Sequence, residues 1–316
     1  MEKPLRLGIS TCLLGEKVRY DGGHKYDPFL VEMLGPYVEY VPVCPEVEMG
    51  LPTPRESMRL EGDPAAPRLV APRSGTDHTT GMLAWARRRV RELEKEDLTG
   101  FVFKSKSPSS GMERIKVYGA GGMPRKVGVG LFARAFMEYF PGLPVEDDGR
   151  LHDSAIRENF IVRLFTYRRW QDLTAEPLTA GRLVDFHARH KLLLLSHSPD
   201  DYRIMGKLVA RAGDMPLPEL RDLYLEQLMT ALRRQATPRK HANVLHHLLG
   251  YFKKQLAAGE KQEMLEVIEH YRAGHVPLIV PVTLINHYVR KYDQPYLREQ
   301  VYLNPHPVEL RLRNHV

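Results

Sequence analysis

Two thiols, a carboxylate, an ammonium and a run of hydroxyls are the reactive side chains of the first 150 residues. Cys12 stands in Thr11-Cys12-Leu13-Leu14-Gly15 and Cys44 in Cys44-Pro45-Glu46; the hydroxyls belong to Lys104-Ser105-Lys106-Ser107-Pro108-Ser109-Ser110-Gly111. Soft thiolates select soft metals and iron-sulfur clusters, so two cysteines beside a polar third segment are ligands in search of such a centre. Without a third ligand two cysteines do not make a site, and on spacing alone the commoner fate of free Cys is that of a small buried apolar side chain. The chain holds only 2 Cys in 316 residues, which excludes a disulfide framework and points to a reducing compartment.

The elements that must position these residues alternate. Leu5-Arg6-Leu7-Gly8-Ile9-Ser10, Val38-Glu39-Tyr40-Val41-Pro42-Val43 and Phe101-Val102-Phe103-Lys104 read as strands, short and rich in β-formers. A Pro-rich loop from Leu51 to Arg73 precedes a helix that Thr79 or Thr80 would cap and that runs to Leu93; another helix spans about 129–139. Strands separated by helices and long crossovers indicate a Rossmann-like α/β domain with a parallel sheet, here residues 1–160. In such a sheet the carboxyl ends of the strands share one edge, where ligands bind. Cys12, Cys44 and the serine loop each follow a strand, so all three should converge there. Gly119-Ala120-Gly121-Gly122 lacks the Gly-Lys-Ser/Thr ending of a phosphate loop and reads as a turn. Pro141 to Asp153, with Glu146-Asp147-Asp148-Gly149, reads as a linker or surface turn.

Residues 161–316 carry helical periodicity throughout, broken by Pro216, Pro218, Pro238, Pro277 and Pro281, which predicts an all-α C-terminal domain. Between Pro238 and Gly259, Val244, Leu248, Phe252 and Leu256 recur every four residues, with Lys240, Asn243, His247 and Lys254 on the other face. His187, His190, His197, His246 and His247 lack carboxylates at metal-binding spacing and are read as surface or phosphate-facing residues.

Composition narrows the function class. With 43% hydrophobic and 27% charged residues the chain is neither a disordered acidic protein nor a membrane protein, and no apolar run approaches the ~18–20 residues of a spanning helix. The opening Met1-Glu2-Lys3-Pro4-Leu5-Arg6 leads into too short an apolar stretch for a signal peptide, so the expected compartment is the cytoplasm. The net charge of +7 is uneven: residues 1–150 hold 22 Lys and Arg against 21 Asp and Glu, residues 151–316 hold 24 against 18. From Gln227 to Gly259 there is no acidic residue, while Arg239, Lys240, Lys253 and Lys254 fall inside. This is an electrostatic footprint for a polyanion, or else a solvated helix face.

Four motifs, Thr11-Cys12-Leu13-Leu14-Gly15, Val18-Arg19-Tyr20-Asp21-Gly22-Gly23-His24, Cys44-Pro45-Glu46 and Lys104 to Gly111, occur in the order in which they stand in the TudS-type thiouracil desulfidases. Residues 1–160 resemble that family. The remainder, with Thr237-Pro238-Arg239-Lys240-His241 and Val276-Pro277-Leu278-Ile279-Val280-Pro281, is similar to the helical domain fused to it in RudS. The resemblance implies a tRNA 4-thiouridine desulfidase whose 4Fe-4S cluster leaves one iron open to the departing sulfur. It also implies Cys12 and Cys44 as cluster ligands. The third family ligand is a cysteine in Ser-Pro-Ser-Cys-Gly, and here that place is Ser110: either an engineered replacement, which the intact surrounding motif favours, or a natural member with an altered or lost cluster. Glu46 is the candidate acid/base, against the alternative of a carboxylate that merely favours a helix N-terminus. Ser107 would orient substrate or water, and Lys104, Ser109 and Asp21 would contact substrate. Two rival functions are a non-catalytic RNA-binding protein and a desulfidase of free thiopyrimidines.

Overall fold

Leu5–Ser10 (β1) and Val38–Val43 (β2) are strands where their aliphatic residues predict them, and they pair in parallel with Leu5 opposite Val38 and Ser10 opposite Val43. The structure is a computed structural model that describes residues 4–119 and 121–315; Met1-Glu2-Lys3 and Ala120, which entered the leader and turn readings, lie outside the described residues. The chain divides into two compact units, Met1–Asp153 and Ser154–Val316.

In the first unit the chain continues through α1 (Pro45–Glu48), β3 (Arg59–Glu61), β4 (Arg68–Val70), α2 (Thr79–Glu94) and β5 (Gly100–Phe103). It then forms β6 (Ile115–Tyr118), β7 (Pro124–Gly128), α3 (Leu131–Tyr139) and β8 (Val145–Asp147). The main sheet has the order β2-β1-β5-β8 and every pairing in it is parallel. Its core is aromatic: Phe101 and Phe103 of β5 meet Phe136 of α3 at centroid distances of 4.7 and 5.6 Å, and Trp85 of α2 lies 5.2 Å from Phe132. Rings of this size dominate the burial of a small core and fix both helices against the sheet.

Three local expectations fail. The 141–153 stretch is not merely a turn, because Val145–Asp147 adds to the sheet edge with Phe101 opposite Val145, and Glu146 and Asp147 are buried. The Pro-rich loop contains β3 and β4, which join β6 and β7 in a second, mixed sheet of order β4-β3-β6-β7. Thr79 does not cap α2; its hydroxyl accepts the Leu69 N–H at 2.8 Å and so ties the helix start to β4.

The second unit is helical: α4 (Ser154–Thr174), α5 (Ala180–His197), α6 (Pro199–Ala210), α7 (Leu217–Arg233), α8 (Pro238–Gly250), α9 (Ala258–Arg272), α10 (Ile279–Lys291) and α11 (Pro295–Arg298). Thr179, Ser198 and Thr237 cap α5, α6 and α8 by accepting the N–H three residues on. The pattern read as helical to Gly259 stops at Gly250, where Tyr251 and Phe252 donate to the carbonyls of Leu248 and Leu249. Those tighter turns still carry Phe252 into the core, fully buried, so the apolar period outlasts the helix. His187, His190 and His197 are buried rather than at the surface: His187 Nδ1 meets the Tyr224 hydroxyl at 3.1 Å, and His190 and His197 meet carbonyls at 2.7 Å. No helix among the described residues is long and apolar enough to cross a membrane.

Candidate active site

Each of the three strand ends turns sharply enough to aim a side chain into one cavity. After β1 a single tight turn, Thr11–Leu14, carries Cys12 and closes at Gly15, whose φ of 94° lies in the region glycine tolerates. After β2, Cys44 stands immediately before α1 with Pro45 at the first helical position, and its own N–H is taken by Glu48 at 2.9 Å. After β5, the Ser107 hydroxyl accepts the Ser110 N–H at 3.1 Å and the Ser107 carbonyl accepts the Gly111 N–H at 2.8 Å. Gly111 is required by close approach, since a Cβ there would sit 2.7 Å from the Ser107 carbonyl oxygen and 2.1 Å from Ile115 Cδ1. The first turn of α3 holds the loop from behind, with Phe132 donating to the Ser109 carbonyl at 2.9 Å.

The resulting cavity has a volume of about 680 Å³, and Cys12, Cys44, Glu46, Lys104, Ser107 and Ser110 all line it. Burial pushes the Cys12 thiol up to about 11, against the pull of Lys104 and Arg19. Burial, reinforced by the Glu46 charge, pushes Cys44 up to about 12. Both thiols are therefore protonated near neutrality in this environment.

Glu46 is held from three sides. Ser109 donates its hydroxyl to Oε1 at 2.5 Å, Cys44 Sγ lies 3.7 Å from Oε2, and the Arg55 guanidinium lies 3.7 Å from the same oxygen. Ser109 in turn meets the Ser107 hydroxyl at 2.9 Å, so a chain of two hydroxyls joins Glu46 to the cavity wall. Lys104 is tied to Asp148 at 2.8 Å and to the Ser105 hydroxyl at 3.0 Å, while Asp148 also accepts the Ser105 N–H at 2.6 Å. Ser109 is fully buried behind the wall. Asp21 does not line the cavity; it is exposed and pairs with Arg19, which does, at 3.4 Å.

Sequence reasoning passed over Arg55 and Asp148, one in the Pro-rich loop and one in the acidic run, and over the cavity-lining cations Arg19, Lys25 and Lys106. Of the basic residues singled out in the second unit, Arg239, Lys253 and Lys254 are exposed. Lys240 instead braces the fold, its ammonium donating to the carbonyls of His197 at 2.7 Å and Gln235 at 3.1 Å.

The family model described as 2-thiouracil desulfurase matches residues 7–148, and that described as a protein of unknown function, DUF1722, matches residues 191–307. The chain is 34% identical over 158 residues to the uncharacterized protein YbgA of Escherichia coli (strain K12), which spans 50% of this chain and 94% of YbgA. The chain belongs to the family of YbgA, and its first unit carries the match to the 2-thiouracil desulfurase model. Among solved structures it is similar to the [4Fe-4S]-dependent thiouracil desulfidase TudS, at 27% identity and a TM-score of 0.39, over 49% of this chain and 97% of that one.

Whether this cavity suits an iron-sulfur cluster depends on its donors. A cluster held at three corners takes thiolates, and the cavity offers two thiols and the Ser110 hydroxyl. Serine is a harder and far less acidic donor than cysteine. Among the described residues no group of three His, Cys, Asp or Glu stands where it would hold a metal ion. The residues present do not fit a cluster on three thiolates.

Proposed function

We propose that the protein has the architecture of a tRNA 4-thiouridine desulfidase in which Ser110 leaves the cluster site one thiolate short. The observation that carries this reading is the meeting of Cys12, Cys44, Glu46 and Ser110 at one cavity on the carboxyl edge of the sheet, in a desulfurase domain. A free thiopyrimidine carries no phosphate, whereas the cavity mouth carries Lys25 and Lys106, both exposed, and the acid-free stretch of the second unit adds exposed Arg239, Lys253 and Lys254. These cations favour a nucleic acid substrate. A base acted on by an enzyme has to leave its stack, and a cavity of about 680 Å³ is in the range that admits one nucleotide.

Within that reading, once Cys stands at 110, Glu46 would move the proton of the water whose oxygen replaces the sulfur, with Ser109 and Ser107 holding the carboxylate and passing its hydrogen bond to the cavity. Arg55 keeps Glu46 oriented. Lys104, paired with Asp148, shapes the wall. Ser110 favours a second reading, a non-catalytic protein that binds thiolated RNA.

The two are separated by Ser110→Cys. After anaerobic reconstitution with iron and sulfide, the substituted chain is expected to hold close to one cluster per chain by iron and acid-labile sulfide assay and to release sulfur from thiolated tRNA, while the parent does neither. A Ser110→Cys protein that folds but gains neither cluster nor activity leaves the RNA-binding reading in place.

A further inference from the structure

A second cavity, of about 210 Å³, lies wholly within the helical unit, between α10 and the 303–314 segment. No Asp or Glu lines it, and three arginines do: Arg290, Arg311 and Arg313. Arg313 is spoken for, since its guanidinium meets Glu158 at 3.1 Å and the Tyr302 carbonyl at 2.8 Å. Arg290 and Arg311 are exposed and make no ion pair among the described residues. Arg311 is held at φ 54°, a conformation that residues with a Cβ seldom adopt and that clusters at ligand sites.

The wall adds hydrogen-bonding groups of another kind. Asn286, Asn304 and Asn314 offer amides that both donate and accept, and Ile279, Val282 and Leu303 offer apolar surface. His306 also lines the cavity. Its Nδ1 lies 3.1 Å from the Pro307 carbonyl, which can only accept, so the proton sits on Nδ1 and Nε2 is left as an acceptor. That Nε2 is shielded from water and has no partner among the described residues. Burial holds the imidazole down to about 3, so it stays neutral.

An occupant that suits the accessible wall carries an anion for the exposed arginines and a flat body with polar edges for the apolar side chains and the amides. We propose that the cavity is a mononucleotide subsite for the RNA, with Arg290 and Arg311 taking the phosphate and the amides of Asn286, Asn304 and Asn314 meeting the base or ribose. The assignment to RNA rests on the function proposed above; the nucleotide site does not. At about 210 Å³ the cavity encloses only part of one nucleotide and excludes a helical stem.

The test uses the full chain. Each of UMP, CMP, AMP and GMP, and inorganic phosphate separately, is titrated by calorimetry into the parent and into Arg290→Glu/Arg311→Glu, and tRNA is titrated into both. The binding assigned to this cavity is the part that the double variant loses; what remains belongs to the other unit. At least one mononucleotide is expected to bind the parent tenfold or more tighter than phosphate and to lose tenfold or more in the double variant, with the melting temperature unchanged. Exposed Asn304→Asp, which brings negative charge to the rim, should weaken the same binding several-fold. Equal mononucleotide binding in parent and double variant, or phosphate binding as tightly as every nucleotide, overturns the proposal. A parent that binds mononucleotide here but no tRNA removes the RNA reading and leaves the nucleotide site standing.

Discussion

Glu46 and Ser110 are two residues of one cavity wall that ask different things of it. The carboxylate at 46 is placed by side chains from two other loops: Ser109 donates to one oxygen and Arg55, its side chain 8% exposed and also donating to the Val18 carbonyl at 3.0 Å, faces the other. A carboxylate present only to favour the start of α1 needs neither. Glu46→Gln, made together with Ser110→Cys, is therefore expected to keep the iron and sulfide content of Ser110→Cys alone while slowing single-turnover loss of thiouridine absorbance by about 10²–10⁴-fold, the usual worth of a general acid-base group. A rate within a few-fold of the Ser110→Cys protein at equal cluster content would move the proton transfer to another residue. The cysteines and serines of this wall were legible in the sequence because each follows a strand directly. Arg55 was not, because Thr53-Pro54-Arg55 lies far along a loop whose return to Cys44 has no local signature. Asp148 was hidden in an acidic run that resembles a solvated turn, although it holds Lys104 in place.

At the scale of elements, periodicity read well wherever it was long or undiluted. β1 and β2 appear at the residues their aliphatic pattern marks, as does the α2 helix through Trp85 and Leu93. Strands of three residues, β3, β4 and β8, are shorter than any alternation can register, and their pairing is decided by partners distant in sequence. The α5 histidines were misplaced for a related reason: a polar side chain on a helix is read as outward unless its partner is known, and here Tyr224, Phe186 and Arg234 supply the partners. Their burial has a consequence for stability. Desolvation lowers His187 and His197 to about 4 and His190 to about 3, from an ordinary value of 6.5. Above pH 6.5 all three are neutral in both folded and unfolded chains and contribute no pH dependence. Below it the unfolded chain takes up protons that the folded helix bundle refuses, so stability falls as pH drops from about 6.5 towards 4, by about 1.4 kcal/mol per pH unit for each histidine within that window. Thermal unfolding between pH 7.5 and 5 should show the helical unit's transition moving to lower temperature, and His187→Gln should lessen the slope. A transition that keeps its temperature across that range would contradict the buried, neutral assignment.

For the molecule as a whole, the proposed RNA reading asks which unit would meet the polyanion. Phosphate contacts are sequence-independent and release counterions, so they appear in the salt dependence of binding as well as in its strength. In the second unit the acid-free stretch contains cations of two kinds. Lys240 is bound to carbonyls and Arg234 pairs with Asp201 at 3.0 Å, so neither is expected to contribute a full phosphate contact. Lys253 and Lys254 follow the end of α8 in a turn that buries Phe252 and leaves both ammonium groups in solvent. Reversing them tests the surface without disturbing that anchor. Lys253→Glu/Lys254→Glu is expected to melt like the parent, to bind tRNA more weakly at 50 mM salt, and to show a log-log salt slope shallower by about 0.7–0.9 for each contact removed. The difference between variant and parent should shrink as salt is raised, because screening removes the same interaction from both. Loss of affinity with an unchanged slope would mean that the substitutions act on the fold of the turn. Unchanged affinity and slope would take the tRNA contact away from the end of α8 altogether and leave it to Arg290 and Arg311 or to the cations at the desulfurase cavity.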